Sequence, residues 1–285
     1  MERKIAYIGF GEAGRAFATG GAPGLRLSAY DLRHAEMGNA FAEAQVDAAA
    51  TPQAALAGAQ AVLSLVTADE ALLAASDYAP HLSPGTLWLD MNSVAPETKR
   101  AAAHAVEAAG GRYVDVAVMA PVHPARRAVP LLASGPHAEA GAELLRSIGF
   151  TNVRVIPGAV GAASSVKMIR SVIVKGMEAL TAECMLAAEA AGVRGEVLAS
   201  LDASEKPMPW AERADYNLDR MLVHGTRRAA EMEEVVRTLE ALGVAPDLTQ
   251  GTVRRQRELG AIGQGSPLCL DAKLQLILDR KAKAA

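Results

Sequence analysis

A glycine turn set between a short apolar run and a helical pattern constrains this chain more than any other feature. Ile5-Ala6-Tyr7-Ile8 reads as a buried strand, and Glu12 to Thr19 as the first turns of a helix. Between them, Gly9, Phe10, Gly11, Glu12, Ala13 and Gly14 supply a GxGxxG spacing. In such a turn the first glycine lets the chain reverse tightly and the second removes a Cβ where a pyrophosphate comes close. The third lets helix and strand pack together, with the phosphates at the positive helix N-terminus. A second strand, Leu25 to Tyr30, ends on Asp31, 22 positions after Gly9, where a carboxylate suits a ribose 2′-hydroxyl. Strand, turn, helix, strand and acid together predict a dinucleotide-binding α/β unit.

The bulk composition sets the frame. A chain of 285 residues accommodates one large domain or two ordinary ones, and 51% hydrophobic with 21% charged residues describes a globular protein with a sizeable core. A net charge of −3 gives no electrostatic reason to expect nucleic acid or an anionic membrane as partner. Cys184 and Cys269 have neither metal nor disulfide-framework spacing, and read as free thiols of a reducing compartment. His81, His104 and His224 show no ligand spacing, so no metal is expected. The first strand begins almost at once, which leaves no room for a signal peptide. No apolar run reaches about 18 residues without a charge, as a membrane span requires. A cytoplasmic protein is the expectation.

Further along, the segment Ala35–Ala44 is helical in pattern, Ala61–Val66 is a continuous apolar run suited to a parallel strand, and Asp69–Ala75 reads as a short helix. Thr86–Leu89 is a strand closing on Asp90, and Pro96 opens a helix that Gly110-Gly111 ends. Tyr113–Val116, Val129–Ser134 and Val153–Ile156 are further strand candidates, with a helix over Ala138–Ile148. This alternation predicts a Rossmann-type doubly wound parallel sheet over residues 1–160. From about Gly161 the pattern is helical throughout. One helix is expected from Ala162 to Ala191, with others at Arg194–Ala203, Pro209–Leu222, Arg227–Leu242, Pro246–Leu259 and Pro267–Lys283. An α/β dinucleotide domain followed by an all-helical substrate and dimerisation domain over 161–285 is the organisation read from the chain.

Lys167 is the main candidate for chemistry. It lies early in the long helix, where an ammonium can donate to a substrate oxygen while a hydride moves at the adjacent carbon. Burial beside a nicotinamide lowers a lysine pKa towards neutrality. A solvated helix lysine is the competing reading.

The N-terminal GFGEAG, the element Asp90-Met91-Asn92-Ser93-Val94-Ala95-Pro96, Asp115 onward and Gly161-x5-Lys167 occur in an order that resembles the β-hydroxyacid dehydrogenases. That group includes 3-hydroxyisobutyrate dehydrogenase-like enzymes and the 6-phosphogluconate dehydrogenase superfamily. The resemblance covers about the first 175 residues well and the helical part more loosely, as in a divergent branch with a distinct helical C-terminal domain. It implies that Lys167 is the catalytic acid/base and that the Asn92–Ser93 loop lies beside nicotinamide and substrate. Two departures stand out. The Ser-Gly-Gly turn that holds a substrate carboxylate in that family is replaced by Val118-Met119-Ala120-Pro121, and Ser171 stands where asparagine is usual.

Most of the remaining candidates carry two readings. Asn92 and Ser93 follow a strand end, where α/β sheets bind ligands, or else form an ordinary helix cap. Val66 and Thr67 line the cofactor or simply terminate a strand. Met119 and Ala120 form the wall of a more apolar substrate pocket. Arg170 pairs with a substrate carboxylate in place of the missing turn, or with a surface partner. His123, Arg126 and Arg127 form a basic loop that recognises an anion or is a solvated hairpin tip. Lys206-Pro-Met-Pro-Trp210 is a connector that reaches a partner's active site or is simply kinked. Asp31 favours NAD, while Arg33 two residues later leaves NADP possible.

The expected function is hydride transfer between NAD(P) and a small β-hydroxy acid or related hydroxy compound. Lys167 exchanges the proton, and Asn92, Ser93 and Ser171 orient the substrate. A small hydroxy or keto acid is the expected partner, together with a second copy of the chain in a homodimer. An imine reductase on the same scaffold and a non-catalytic dinucleotide sensor are the alternatives.

Overall fold

A computed structural model describes residues 3–20, 24–204, 207–263 and 265–284. The chain divides into two compact units, Met1–Val172 and Ile173–Ala285.

In the first unit, strands β1 (Arg3–Ile8), β2 (Leu25–Tyr30), β3 (Asp47–Ala48), β4 (Ala61–Ser64), β5 (Leu87–Asp90), β6 (Arg112–Val118), β7 (Leu131–Ser134) and β8 (Val153–Val155) form one sheet. Their spatial order is β3-β2-β1-β4-β5-β6-β7-β8. The order reverses at β1, with β2 on one side and β4 on the other, which places the switch point at the C-terminal end of β1. Helices α1 (Glu12–Ala18), α2 (Gly38–Glu43), α3 (Pro52–Leu56), α4 (Ala71–Tyr78), α5 (Pro96–Ala108) and α6 (Ala138–Ser147) connect the strands. Both sheet faces are covered, and alternate strand residues serve opposite faces. Ile5, Tyr7, Leu87 and Leu89 join one apolar cluster, while Ala6, Ile8 and Trp88 join the other.

The sheet is the expected Rossmann type, with two local differences. The short strand β3 was not anticipated from the sequence. In addition, β7 pairs antiparallel with β6, and β8 runs parallel to β7. A parallel neighbour needs a crossover, usually a helix. Between β6 and β7 the chain forms only a three-residue 3-10 turn, so β7 folds back beside β6. Helix α6 then provides the crossover to β8.

Helix α7 (Ala162–Ala190) starts in the first unit and ends in the second. The rest of the second unit is α8 (Arg194–Ser204), α9 (Trp210–Ala241), α10 (Asp247–Gly260) and α11 (Leu270–Ala284). The two helices expected over Pro209–Leu222 and Arg227–Leu242 are the single helix α9. Gly225 does not break it. A Cβ there would meet the Gln256 carbonyl oxygen and lie 2.8 Å from the Gly260 Cα, so this glycine lets α9 and α10 touch backbone to backbone. Among the described residues, no helix is long and apolar enough to cross a membrane.

Candidate functional site

The glycine turn sits at the switch point. Gly9 has φ +89°, and a Cβ on it would lie 2.5 Å from the Leu65 carbonyl oxygen. A Cβ on Gly14 would lie 2.7 Å from the Gly9 carbonyl oxygen, so this position lets α1 pack on the turn. Gly11 is different: nothing lies within 4 Å of where its Cβ would be. It is the N-cap of α1, and no side chain caps that helix. Open space before an uncapped helix N-terminus fits a pyrophosphate. Phe10 contributes only backbone here, because its ring is buried and stacks on Phe41 with centroids 4.7 Å apart.

Asp31 holds this turn directly. Its Oδ2 accepts the Phe10 backbone N–H at 2.8 Å and its Oδ1 accepts the Arg33 backbone N–H at 2.9 Å. The Arg33 side chain is largely exposed, with Nε 3.9 Å from Asp31 Oδ1.

Two neighbouring cavities open on the turn. The first, about 500 Å³, is lined by Gly9, Gly11, Glu12, Asp31, Arg33, Val66 and Thr67, with Tyr30 and Tyr78 on its wall. The second, about 350 Å³, brings together Glu12, Ala13, Asn92, Ser93, Ala120 and Lys167. Glu12, Leu65 and Val66 line both, so the cavities adjoin. Asn92 is 4% exposed. Its Nδ2 donates to Ser64 Oγ at 3.0 Å, while its Oδ1 has no hydrogen-bond partner among the described residues. A buried acceptor without a partner is rare and marks this residue, which also lines the cavity, as a candidate.

The start of α7, and with it Lys167, is fixed by a buried polar network. Asp115 Oδ2 accepts the Gly161 and Ser164 backbone N–H groups, each at 3.1 Å, and the Ser164 hydroxyl at 3.2 Å. Ser134 Oγ accepts the Ala163 N–H at 2.9 Å and donates to Asp115. A carboxylate on β6 and a hydroxyl on β7 therefore do the work of an N-cap for a helix from elsewhere in the chain. Lys99 Nζ lies 3.4 Å from Asp115 Oδ1 and 2.9 Å from Asp90 Oδ1, and also donates to the Asp90 carbonyl at 2.6 Å. Asp90 Oδ1 accepts the Asn92 backbone N–H, and Asp90 Oδ2 accepts the Tyr113 hydroxyl at 2.6 Å. Burial, reinforced by the Asp90 carboxylate, holds the Tyr113 phenol well above its ordinary pKa.

Sequence reading missed this network. One signal was present: Lys99 shares the buried stripe of α5 with Ala102, Ala103 and Val106. A lysine at a core position of a helix requires a buried partner.

Not every candidate reaches the second cavity. Met119 packs against the cluster of Ala117, Leu132 and Ala163. Arg170 Nη1 donates to the Met119 carbonyl at 3.2 Å, and Ser171 Oγ bonds back to the Lys167 carbonyl at 2.9 Å. None of these three lines the cavity. In the basic loop, Arg127 is tied to the Ile148 and Thr19 carbonyls, at 2.9 and 3.0 Å, as an internal staple. His123 and Arg126 face a separate cavity with Arg15. Lys206 of the connector lies outside the described residues.

The fold and the turn define an NAD(P)-binding domain of the Rossmann type. The chain belongs to the family described as the NAD binding domain of 6-phosphogluconate dehydrogenase, whose model matches residues 4–156. Residues 188–259 match a domain of unknown function, DUF1932. A conserved hypothetical protein from Sinorhizobium meliloti 1021 is 36% identical, with 98% of this chain and 97% of that one covered and a TM-score of 0.61. A conserved protein of unknown function, whose structure is described as similar to 3-hydroxyacid dehydrogenases, is 27% identical, with 96% and 99% covered and a TM-score of 0.57. The imine reductase from Myxococcus stipitatus in complex with NADP+ shares the fold, at 20% identity, 96% and 99% coverage and a TM-score of 0.74.

Proposed function

We propose that the protein is an NAD(P)-dependent oxidoreductase acting on a small β-hydroxy acid or related hydroxy compound, with Lys167 as acid/base. One observation carries the reading. Lys167 lines the same cavity as Asn92 and Ser93, and that cavity adjoins the one at the glycine turn.

A bound nicotinamide supplies the hydride acceptor in oxidation and the donor in reduction. Lys167 Nζ takes the substrate hydroxyl proton in one direction and returns it in the other. Asn92 and Ser93 lie on the wall of the same cavity and orient the substrate. Val66, Met91, Val118 and Pro121 make that wall apolar and limit water around the reacting atoms. Met119, Arg170 and Ser171 act behind the wall, through the Met119 carbonyl and the helix backbone. NAD is the favoured cofactor because Asp31 opposes a 2′-phosphate, and Arg33 keeps NADP within reach. The region up to about residue 160 serves as the nucleotide domain. The helical remainder serves as the substrate and dimerisation domain of a cytoplasmic homodimer.

A second reading rests on a specific feature of the same cavity. Its described lining residues include the acidic Glu12 and no arginine, which also suits a cationic C=N substrate.

The test follows nicotinamide absorbance with NAD or NADP and a panel of short hydroxy acids, polyols and ketone-plus-amine pairs, with Lys167→Met in parallel. Turnover of a hydroxy compound that collapses in the variant while cofactor still binds supports the dehydrogenase. Turnover of ketone plus amine that survives the substitution supports the imine reductase. Tight NADH binding without turnover favours a sensor.

A further inference from the structure

Asp90 and Asp115 are partners in the register of two neighbouring parallel strands, both completely buried. Side by side away from water, two carboxylates repel. The ammonium of Lys99, itself 1% exposed, stands between them. Each carboxylate then holds a different segment that contributes to the second cavity. Asp90 holds the backbone N–H of Asn92, and Asp115 holds the first turn of α7, which carries Lys167.

We propose that Lys99 is a positioning residue: it ties the Asn92–Ser93 loop to the start of α7 and so sets where Asn92 and Lys167 stand relative to each other. The consequence for turnover rests on the reading of Lys167 given above, whereas the tie itself does not. Lys99 sits behind the cavity wall and touches neither cavity. Removing its charge leaves Asp90 and Asp115 facing each other without a cation. Removing one of those carboxylates as well restores the net charge of the cluster.

The test compares the full-length protein with Lys99→Met, the double variant Lys99→Met/Asp90→Asn, and Ser134→Ala. Amide hydrogen exchange of peptides covering residues 161–167 reports the tie without any substrate. In Lys99→Met this segment is expected to exchange roughly ten-fold faster than in the wild type, with the first strand unchanged. The kcat for whichever compound the panel identifies is expected to fall roughly ten-fold, with KM and NADH affinity held within about three-fold. The double variant recovers most of both losses, which a general weakening of the fold would not do. Ser134→Ala, a gentler change that removes the acceptor of the Ala163 N–H and one donor to Asp115, covers the case in which Lys99→Met does not fold. It should speed exchange in the same segment by about three-fold.

Unchanged exchange over 161–167 in a folded Lys99→Met protein, or in Ser134→Ala if that one alone folds, overturns the proposal. A loss that Asp90→Asn fails to relieve overturns it as well. Faster exchange with undiminished turnover upholds the tie and removes Lys167 from the chemistry instead.

Discussion

Asp31 and Phe10 are joined by a 2.8 Å hydrogen bond in which the carboxylate accepts a backbone N–H of the glycine turn itself. The acid at the end of β2 thus shapes the turn in addition to facing the cavity. Replacing Asp31 with alanine leaves the Phe10 and Arg33 amides without their acceptor. Loss of a charge-assisted hydrogen bond is typically worth about 1.5–3 kcal/mol, so NADH affinity should weaken roughly ten- to a hundred-fold. Asp31→Asn keeps an acceptor and should lose much less. Fluorescence titration of NADH separates the two, and equal losses would mean that the turn does not depend on this bond.

Arg33 reaches from the first cavity into a neighbouring one of about 420 Å³ that Arg15 also lines. A 2′-phosphate held there would need both guanidinium groups. Arg33→Ala is therefore expected to weaken NADPH by about ten-fold while changing NADH by less than about three-fold. Parallel titrations with the two reduced cofactors measure the ratio.

Gly225 and Gly260 mark the point where α9 and α10 meet. A methyl at Gly225 would press on backbone atoms, which cannot swing aside as a side chain can. Overpacking of this kind costs about 1–3 kcal/mol, more than the roughly 1 kcal/mol that alanine gains over glycine within a helix. Gly225→Ala should lower the urea midpoint. Gly251→Ala, also in a helix but meeting only the flexible Arg254 guanidinium at 3.8 Å, should hold or raise it.

Glu183 caps α10 from α7, accepting the Leu248 and Thr249 backbone N–H groups at 3.0 and 3.1 Å and the Thr249 hydroxyl. Burial pushes its carboxyl pKa up, but these hydrogen bonds outweigh that and hold it below the ordinary glutamate value. A carboxyl depressed in the folded state stabilises it fully above the unfolded value of about 4.3, and that stabilisation is lost as pH falls through the folded value. Unfolding of the helical unit should therefore become easier in mild acid. Glu183→Gln should flatten that dependence and cost about 1 kcal/mol at neutral pH, the usual cost of losing a helix cap.

The sheet and its glycine turn were legible because their signals are local. A strand, three glycines and an acid lie within about thirty residues, and each has a backbone reason to be there. The two-residue strand β3 was not legible, since Asp47 and Ala48 are both exposed and show no periodicity. Gly225 lies in the gap between the two expected helices, Pro209–Leu222 and Arg227–Leu242, which are one helix in the structure. Its actual role depends on Gly260, which no local pattern reports. The cap on α7 was hidden for the same reason, since Asp115 and Ser164 lie 49 positions apart. The core stripe of α5 showed that Lys99 needed a partner, but only the sheet register supplies two.

The second cavity carries one carboxylate, Glu12, and one amine, Lys167, among otherwise uncharged side chains. A mouth so nearly balanced in charge does not draw in a charged ligand from a distance, as a basic or acidic funnel would. Capture then depends on collision and shape, and its rate should hold steady as ionic strength rises.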